Sequence, residues 1–176
     1  MTTHIAFLRA INVGGRRVSM GDLAAEFESL ELDEVTTYQA SGNVSFTSER
    51  PATELETAVA AQLERELGYD VPTIVRSLAE LEVLCASPVF AEEAQQPNCK
   101  LYVSFVTEPM GAEHVAALAE LGNGVDSFAR VERDVFWLRD IDAGESMTNS
   151  DLEKALGVVA TRRTIATVQK IVAKLS

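Results

Sequence analysis

Two segments, at opposite ends of the chain, combine basic residues with an absence of acids. Residues 1–21 contain three arginines and no Asp or Glu, and residues 154–176 contain five Lys or Arg and again no acid. The whole chain of 176 residues has a formal net charge of −12. Arginines that meet no carboxylate can bind phosphate or carboxylate groups of a ligand. The charge distribution therefore predicts an anion-binding site.

The candidate ligand-binding residues near the N-terminus are Arg9, Asn12, Gly14 and Gly15. Arg9 follows a strand-like segment, and a loop containing asparagine and two glycines can point backbone N–H groups at an anion. The loop lacks the Lys-Ser/Thr of a Walker phosphate loop and the glycine spacing of a dinucleotide fingerprint. The alternative interpretation is a plain strand-to-helix turn.

Arg162 and Arg163 are the candidates near the C-terminus. Apolar residues recur at helical spacing after them and predict a last helix over about residues 162–174. Both arginines would then lie in its first turn, where the positive end of the helix dipole favours a bound anion and disfavours unpaired cations. The alternative is that each arginine pairs with a carboxylate, because Asp and Glu outnumber Lys and Arg by 27 to 15.

Ser41 and Asn43 are further candidates, within a predicted hairpin loop. Their hydroxyl and amide groups are suitable for contacting a substrate, but a hairpin turn requires the same residue types. Ser41 lacks the Gly-x-Ser-x-Gly surroundings of a nucleophile and has no assignable base. The sequence assigns no catalytic residue, and whether the protein is an enzyme stays open.

The elements that must position these residues form a recurring order. Residues 1–76 are predicted as βαββαβ, the order of a ferredoxin-like unit. Residues 77–176 are predicted as βαββ followed by two C-terminal helices. We therefore expect an α+β protein with two ferredoxin-like (βαββαβ-type) halves and extra C-terminal helices in the second, divided into domains 1–76 and 77–176.

Separated motifs occur along the chain, namely Arg9-Ala-Ile-Asn12-Val-Gly14-Gly15, Met20, Thr37-Tyr38-Gln-Ala-Ser41-Gly42-Asn43-Val44 and Ala-Thr161-Arg162. Together they resemble the family called domain of unknown function 1697. The resemblance implies a bacterial, cytoplasmic, two-part α+β protein with ferredoxin-like topology and no established activity. Two departures stand out: Ala10 replaces the family's usual glycine, and Arg163-Thr164 replaces a common Asn-Trp pair.

Composition argues against several classes of protein. The apolar stretches are broken within about ten residues, short of the ~20 that cross a bilayer. The N-terminus resembles no export signal, so we expect a cytoplasmic protein with reduced thiols at Cys85 and Cys99. Two histidines and two cysteines predict neither a disulfide framework nor a metal site, and no cofactor is predicted. The net charge disfavours nucleic acid and anionic membranes as partners.

The leading functional hypothesis is a module that binds a small anionic ligand, a nucleotide or phosphorylated metabolite, in a cleft between the N-terminal loop and the C-terminal helix. One alternative is a hydrolase or transferase that uses the same cleft. Another is a protein or nucleic-acid adaptor acting through Lys170 and Lys174. An exposed Phe136 or Trp137 could stack a nucleic-acid base in that case. The sequence predicts neither the oligomeric state nor the pathway.

Overall fold

The computed structural model describes residues 1–12, 14–15, 17–38 and 42–176. Contacts between Cα atoms divide the chain into two units, Met1–Leu81 and Glu82–Ser176. The described residues form six α-helices and eight strands, and the strands make two four-stranded antiparallel sheets. The predicted α+β class is confirmed. None of the described helices is long and apolar enough to span a membrane.

The first unit contains one sheet with strand order β2-β3-β1-β4 and two helices between its strands. Its elements are β1 (Thr2–Leu8), α1 (Met20–Glu28), β2 (Asp33–Tyr38), β3 (Asn43–Ser48), α2 (Ala52–Leu67) and β4 (Thr73–Ser77). Helix α3 (Leu78–Cys85) follows at the boundary of the two units. The chain order within the first unit is therefore βαββαβ, as predicted.

The core of the first unit is built from the apolar sides of its two inserted helices. Ser19 caps α1 by accepting a hydrogen bond from the Asp22 backbone N–H at 3.0 Å. The helical residues packed in the core are Leu23, Phe27, Leu55, Val59 and Leu63, and the sheet residues beneath them are Ala6, Leu8, Val44, Phe46 and Val75. Leu23 and Phe27 in α1, and Leu55, Val59 and Leu63 in α2, recur at helical spacing, so each helix buries one side.

The second unit repeats this arrangement with strand order β6-β7-β5-β8. Its elements are β5 (Cys99–Val106), α4 (Ala112–Leu121), β6 (Asp126–Val131), β7 (Asp134–Asp140), α5 (Asn149–Leu156), β8 (Ala160–Thr164) and α6 (Ile165–Leu175). A short 3-10 helix, Glu93–Gln95, precedes β5. The core under α4 and α5 contains Val106, Leu118, Val135, Trp137, Leu152, Leu156 and Ala160.

The predicted start of the last helix was wrong. Arg162 and Arg163 lie in strand β8 at the edge of the second sheet, and α6 begins at Ile165. Thr164 is the N-cap of α6, and its hydroxyl accepts a hydrogen bond from the Thr167 backbone N–H at 3.2 Å. Pairing of β8 with β5 holds the preceding residues extended, so they cannot join the helix. The second unit accordingly has the order βαββαβ followed by α6, rather than βαββ followed by two helices.

Candidate functional site: a basic cluster on the second sheet

The N-terminal loop keeps its candidate residues within one turn after β1. Asn12, Gly14 and Gly15 have φ angles of 58°, 61° and 87°, in the left-handed region that glycine and asparagine tolerate best. The Asn12 side-chain oxygen accepts a hydrogen bond from the Val18 backbone N–H at 2.6 Å. This oxygen therefore braces the loop. The half-buried Arg9 precedes the loop, and its backbone N–H bonds to the carbonyl oxygen of Pro72 at 2.9 Å.

Of the two candidates in the predicted hairpin loop, the structure describes Asn43. Ser41 lies outside the described residues. Asn43 is fully buried in β3. Its side-chain amide nitrogen donates a hydrogen bond to the carbonyl oxygen of Tyr38 at 3.3 Å. A Cβ on Gly42 would lie only 2.4 Å from Cγ2 of Ile11, so no larger residue fits there. These observations support turn and packing roles for Gly42 and Asn43.

The two adjacent arginines of β8 point to opposite faces of the sheet, because successive side chains alternate along a strand. Arg163 donates hydrogen bonds from Nη1 to the Thr161 hydroxyl and to the carbonyl oxygen of Arg162, each at 2.9 Å. Burial lowers the pKa of its guanidinium to about 10. Arg163 is thus hydrogen-bonded to its own strand, whereas Arg162 lies on the opposite face, which also carries the core residues Val135, Trp137 and Ala160.

The Arg162 guanidinium lies over two aromatic rings of neighbouring strands. Its central carbon is 4.6 Å from the ring centroid of Tyr102 in β5 and 4.3 Å from the ring of Trp137 in β7. The two aromatic residues are opposite each other in the sheet register. The Nη1 atom of Arg162 is buried and has no hydrogen-bond partner within the described part of the chain. The other guanidinium nitrogens of Arg162 are not among the buried unpartnered atoms, and these are the donors that a ligand atom can reach.

Two further cations share this face. Lys100 and Arg139 are opposite each other in the β5–β7 pair, two residues beyond Tyr102 and Trp137, so all of these side chains project from the same side. The Lys100 ammonium is 5.4 Å from the Tyr102 ring centroid, and the Arg139 Nε is buried without a hydrogen-bond partner among the described residues. We call Lys100, Arg139 and Arg162 the basic cluster.

The basic cluster is not neutralised by direct ion pairs. In the ranges that the structure describes, no carboxylate lies within 4.0 Å of a side-chain nitrogen of its three members. Burial lowers the pKa of the Arg162 guanidinium; the Tyr102 phenol and the more distant Asp126 raise it, and the like charge of Arg139 lowers it. The alternative that carboxylates pair with the candidate arginines is therefore not met at Arg162.

A buried network fixes the Trp137 ring beneath the cluster. The indole N–H donates to Oδ1 of Asp126 at 2.6 Å, and the same oxygen accepts from the Ser146 hydroxyl at 2.8 Å. The other oxygen, Oδ2, accepts from the Met147 backbone N–H at 2.8 Å. Trp137 and Asp126 are both fully buried, and Phe128 packs against the indole at 5.0 Å between ring centroids. The platform is thus rigidly held, and the exposed base-stacking Trp137 considered above is not present.

The predicted site residues belong to different elements of the two units. Arg9, Asn12, Gly14 and Gly15 belong to one loop of the first unit, Asn43 to a buried strand, and Arg162 and Arg163 to opposite faces of β8. Sequence reasoning missed Lys100, Tyr102 and Arg139. The alternation of Lys100 with Tyr102, and of Trp137 with Arg139, was a usable signal, since i and i+2 residues share a face of a strand.

The arrangement is suited to holding an anion. Three cations on an aromatic platform supply charge and hydrogen-bond donors. Within the described residues, no group of three His, Cys, Asp or Glu side chains is placed to hold a metal ion. The fold and the cluster together define an α+β protein with a half-buried basic cluster on its second sheet.

Comparison with known proteins gives the family. The sequence profile of DUF1697, a family described as proteins of unknown function, matches residues 1–136, and the chain belongs to this family. A solved structure of a conserved bacterial protein from Streptococcus pneumoniae is similar over 99% of both chains, with a TM-score of 0.74 and 22% sequence identity. This likeness concerns the fold alone. No curated protein sequence matches the chain.

Proposed function

We propose that this protein binds a small anionic ligand, a nucleotide or a phosphorylated metabolite, at the basic cluster of its second sheet. The observation that carries the proposal is the Arg162 guanidinium, which lies over Tyr102 and Trp137 with a buried and unpartnered Nη1. The guanidinium is held on its aromatic neighbours, and its nitrogens that are not buried can donate to a ligand oxygen.

Electrostatic balance supports an anion rather than a neutral ligand. The chain as a whole carries −12, yet Lys100, Arg139 and Arg162 project from one face without a carboxylate at ion-pair distance among the described residues. Like charges held together repel each other, and a bound anion relieves that repulsion. Asp126, opposite Arg139 in the β6–β7 pair, raises the pKa of Arg162, but its oxygens accept hydrogen bonds from Trp137, Ser146 and Met147.

Preorganisation supports a binding role as well. Trp137 is held by its hydrogen bond to Asp126, and Arg162 rests on its ring. A guanidinium stacked on aromatic rings loses little further conformational entropy when it binds a ligand. The free energy of the contacts between the cluster and the ligand therefore contributes mainly to affinity.

The remaining parts of the hypothesis are proposals of the same kind. We take the two halves to be ferredoxin-like domains, 1–76 and 77–176, which the repeated βαββαβ order and the two matching strand orders support. We place the protein in the cytoplasm. A contribution of Arg9 and its loop to ligand binding is a separate proposal, which an Arg9→Gln variant tests without affecting the case for Arg162.

Thermal unfolding in the presence of inorganic phosphate tests the proposal. A ligand that binds only the folded state raises the midpoint, and a concentration of about 100 times Kd adds about 2.7 kcal/mol to the free energy of unfolding. We expect phosphate to raise the midpoint of the unmodified protein and to leave that of Arg162→Gln almost unchanged. Lys170→Gln, which removes an equal charge from the exposed side of α6, is the matched control.

Two results would contradict the proposal. One is a phosphate-induced shift that is equal in Arg162→Gln and in the unmodified protein, because the anion would then bind elsewhere. The other is the absence of any shift with phosphate in the unmodified protein at concentrations that saturate weak anion sites. A loss of the shift in Lys170→Gln as well would indicate a general charge effect and would also count against a specific site.

A further inference from the structure

We propose that the basic cluster selects a doubly charged phosphomonoester group, as carried by a small phosphorylated metabolite, over phosphodiesters and over ligands recognised through a nucleobase. The inference rests on the proposed function and narrows it to one class of ligand. It depends on how many cations face the site, on what already covers the aromatic rings, and on the charge of the molecule around them.

The number of cations favours a dianion. Lys100, Arg139 and Arg162 share one face, and two of them hold a buried nitrogen without a hydrogen-bond partner in the described ranges. A phosphomonoester presents two charges and three terminal oxygens, whereas a phosphodiester presents one charge and two such oxygens. The second charge interacts with all three cations at once, so the monoester has the larger electrostatic gain.

The rings of Tyr102 and Trp137 are already covered by cations of the cluster. The guanidinium of Arg162 covers both Tyr102 and Trp137, and the Lys100 ammonium lies near the Tyr102 ring as well. Trp137 has no exposed surface, and Phe128 packs against its ring. Stacking of a base requires an open ring face. A nucleotide would therefore gain little from its base at this site and would be held through its phosphate.

The surrounding charge disfavours long polyanions. A chain with a net charge of −12 repels an extended phosphodiester backbone beyond the immediate reach of the cluster. A compact ligand places its charge inside the cluster and little outside it. The cluster on this acidic molecule thus fits a small monoester better than a nucleic acid strand.

Isothermal titration with four defined compounds provides the test. Methyl phosphate is a dianion well above its second pKa of about 6 and a monoanion below it, whereas dimethyl phosphate is a monoanion throughout. At about pH 8, we expect methyl phosphate to bind about tenfold more tightly than dimethyl phosphate, and at about pH 5 we expect that difference to disappear. Adenosine monophosphate should bind within about threefold of methyl phosphate, and inorganic sulfate should bind equally at both pH values.

Variants locate the binding, and the outcomes separate the two proposals. Arg162→Gln should lose methyl phosphate binding, and Lys170→Gln should retain it. Equal affinities for methyl and dimethyl phosphate at the higher pH, or much tighter binding of adenosine monophosphate, would overturn the monoester inference while leaving the anion-binding function in place. Failure of all four compounds to bind would overturn both. A monoester preference that persists in Arg162→Gln would place the selectivity outside the cluster and refute the inference.

Discussion

Arg162 and Arg163 are neighbours in the chain but serve opposite faces of the second sheet. Arg163 donates to the Thr161 hydroxyl and to the backbone carbonyl of Arg162, while Arg162 lies over the rings of Tyr102 and Trp137. The alternation of strand β8 separates them. Two residues that look equivalent in the sequence therefore have different roles.

Substitution of each arginine should separate binding from stability. Arg163→Gln should lower the free energy of unfolding by about 1–3 kcal/mol, because buried polar groups lose their hydrogen-bond partner, and phosphate affinity should change little. Arg162→Gln should reduce phosphate affinity by about tenfold or more. Urea denaturation and titration calorimetry on both variants measure the two effects. Equal losses of affinity in both variants would contradict the assignment of the two faces.

The Asp126 carboxylate should be required for the platform. Asp126→Asn replaces one carboxylate oxygen with an amide nitrogen, which cannot accept a hydrogen bond. Either the Met147 N–H or the Trp137 and Ser146 donors then lose their acceptor. We expect the free energy of unfolding to fall by about 1–3 kcal/mol and phosphate binding to weaken. Asp70→Asn, an exposed substitution in the first unit, is the control for charge loss and should have little effect. Urea denaturation that does not distinguish the two variants would show that the network does not hold Trp137.

Ala10 should be a site of backbone strain. Its φ angle is 57°, in the left-handed region that disfavours residues with a Cβ. We expect Ala10→Gly to raise the free energy of unfolding by about 0.5–1 kcal/mol. The relief of strain stabilises the folded state by more than glycine stabilises the unfolded chain through its larger conformational entropy. Ala61→Gly in the exposed side of α2 is the opposite control and should cost about 1 kcal/mol. A lower midpoint for Ala10→Gly would contradict this reasoning.

His4 should make the protein less stable in mild acid. Burial lowers the pKa of its imidazole below the ordinary value of 6.5, an effect that Glu80 partly opposes, and its ring stacks on Phe46 at 5.7 Å. As the pH falls through 6.5, the unfolded chain takes up a proton that the folded protein resists, so the free energy of unfolding decreases. The loss ends once the pH falls below the depressed pKa of the folded state. Above the ordinary pKa both states are neutral, and His4 contributes no pH dependence.

A His4→Phe variant isolates this contribution from that of the carboxylates. Phenylalanine can keep the stacked contact with Phe46 but cannot take up a proton. We expect the variant to lose less stability than the unmodified protein between neutral and mildly acidic pH, measured by urea denaturation at each pH. Identical pH profiles for both proteins would show that His4 is not responsible.

Much of the fold was predictable from the sequence, and the site was not. The core residues Leu23 and Phe27 of α1 and Leu55 of α2 lie at helical spacing, a local pattern that the sequence displays directly. Strand β8 was missed because its polar residues, Arg162 and Arg163, directly precede a strongly amphipathic helix, and only pairing with β5 makes them extended.

Predicting the basic cluster requires knowledge of which strands pair and in which register. Lys100 and Arg139 come together only because β5 and β7 pair in one register, which a single sequence does not specify. Arg162 joins them across a second strand pairing. The charge distribution predicted an anion-binding role for the C-terminal segment. The strand register determines which other cations lie beside Arg162.

A crystal structure of the protein with methyl phosphate tests the central claim most directly. The account predicts a phosphoryl group beside the basic cluster, with an oxygen within about 3 Å of a guanidinium nitrogen of Arg162 other than the buried Nη1 and the guanidinium still resting on Trp137. Phosphate bound only elsewhere, with the Arg162 nitrogen paired to a carboxylate of its own chain, would contradict it.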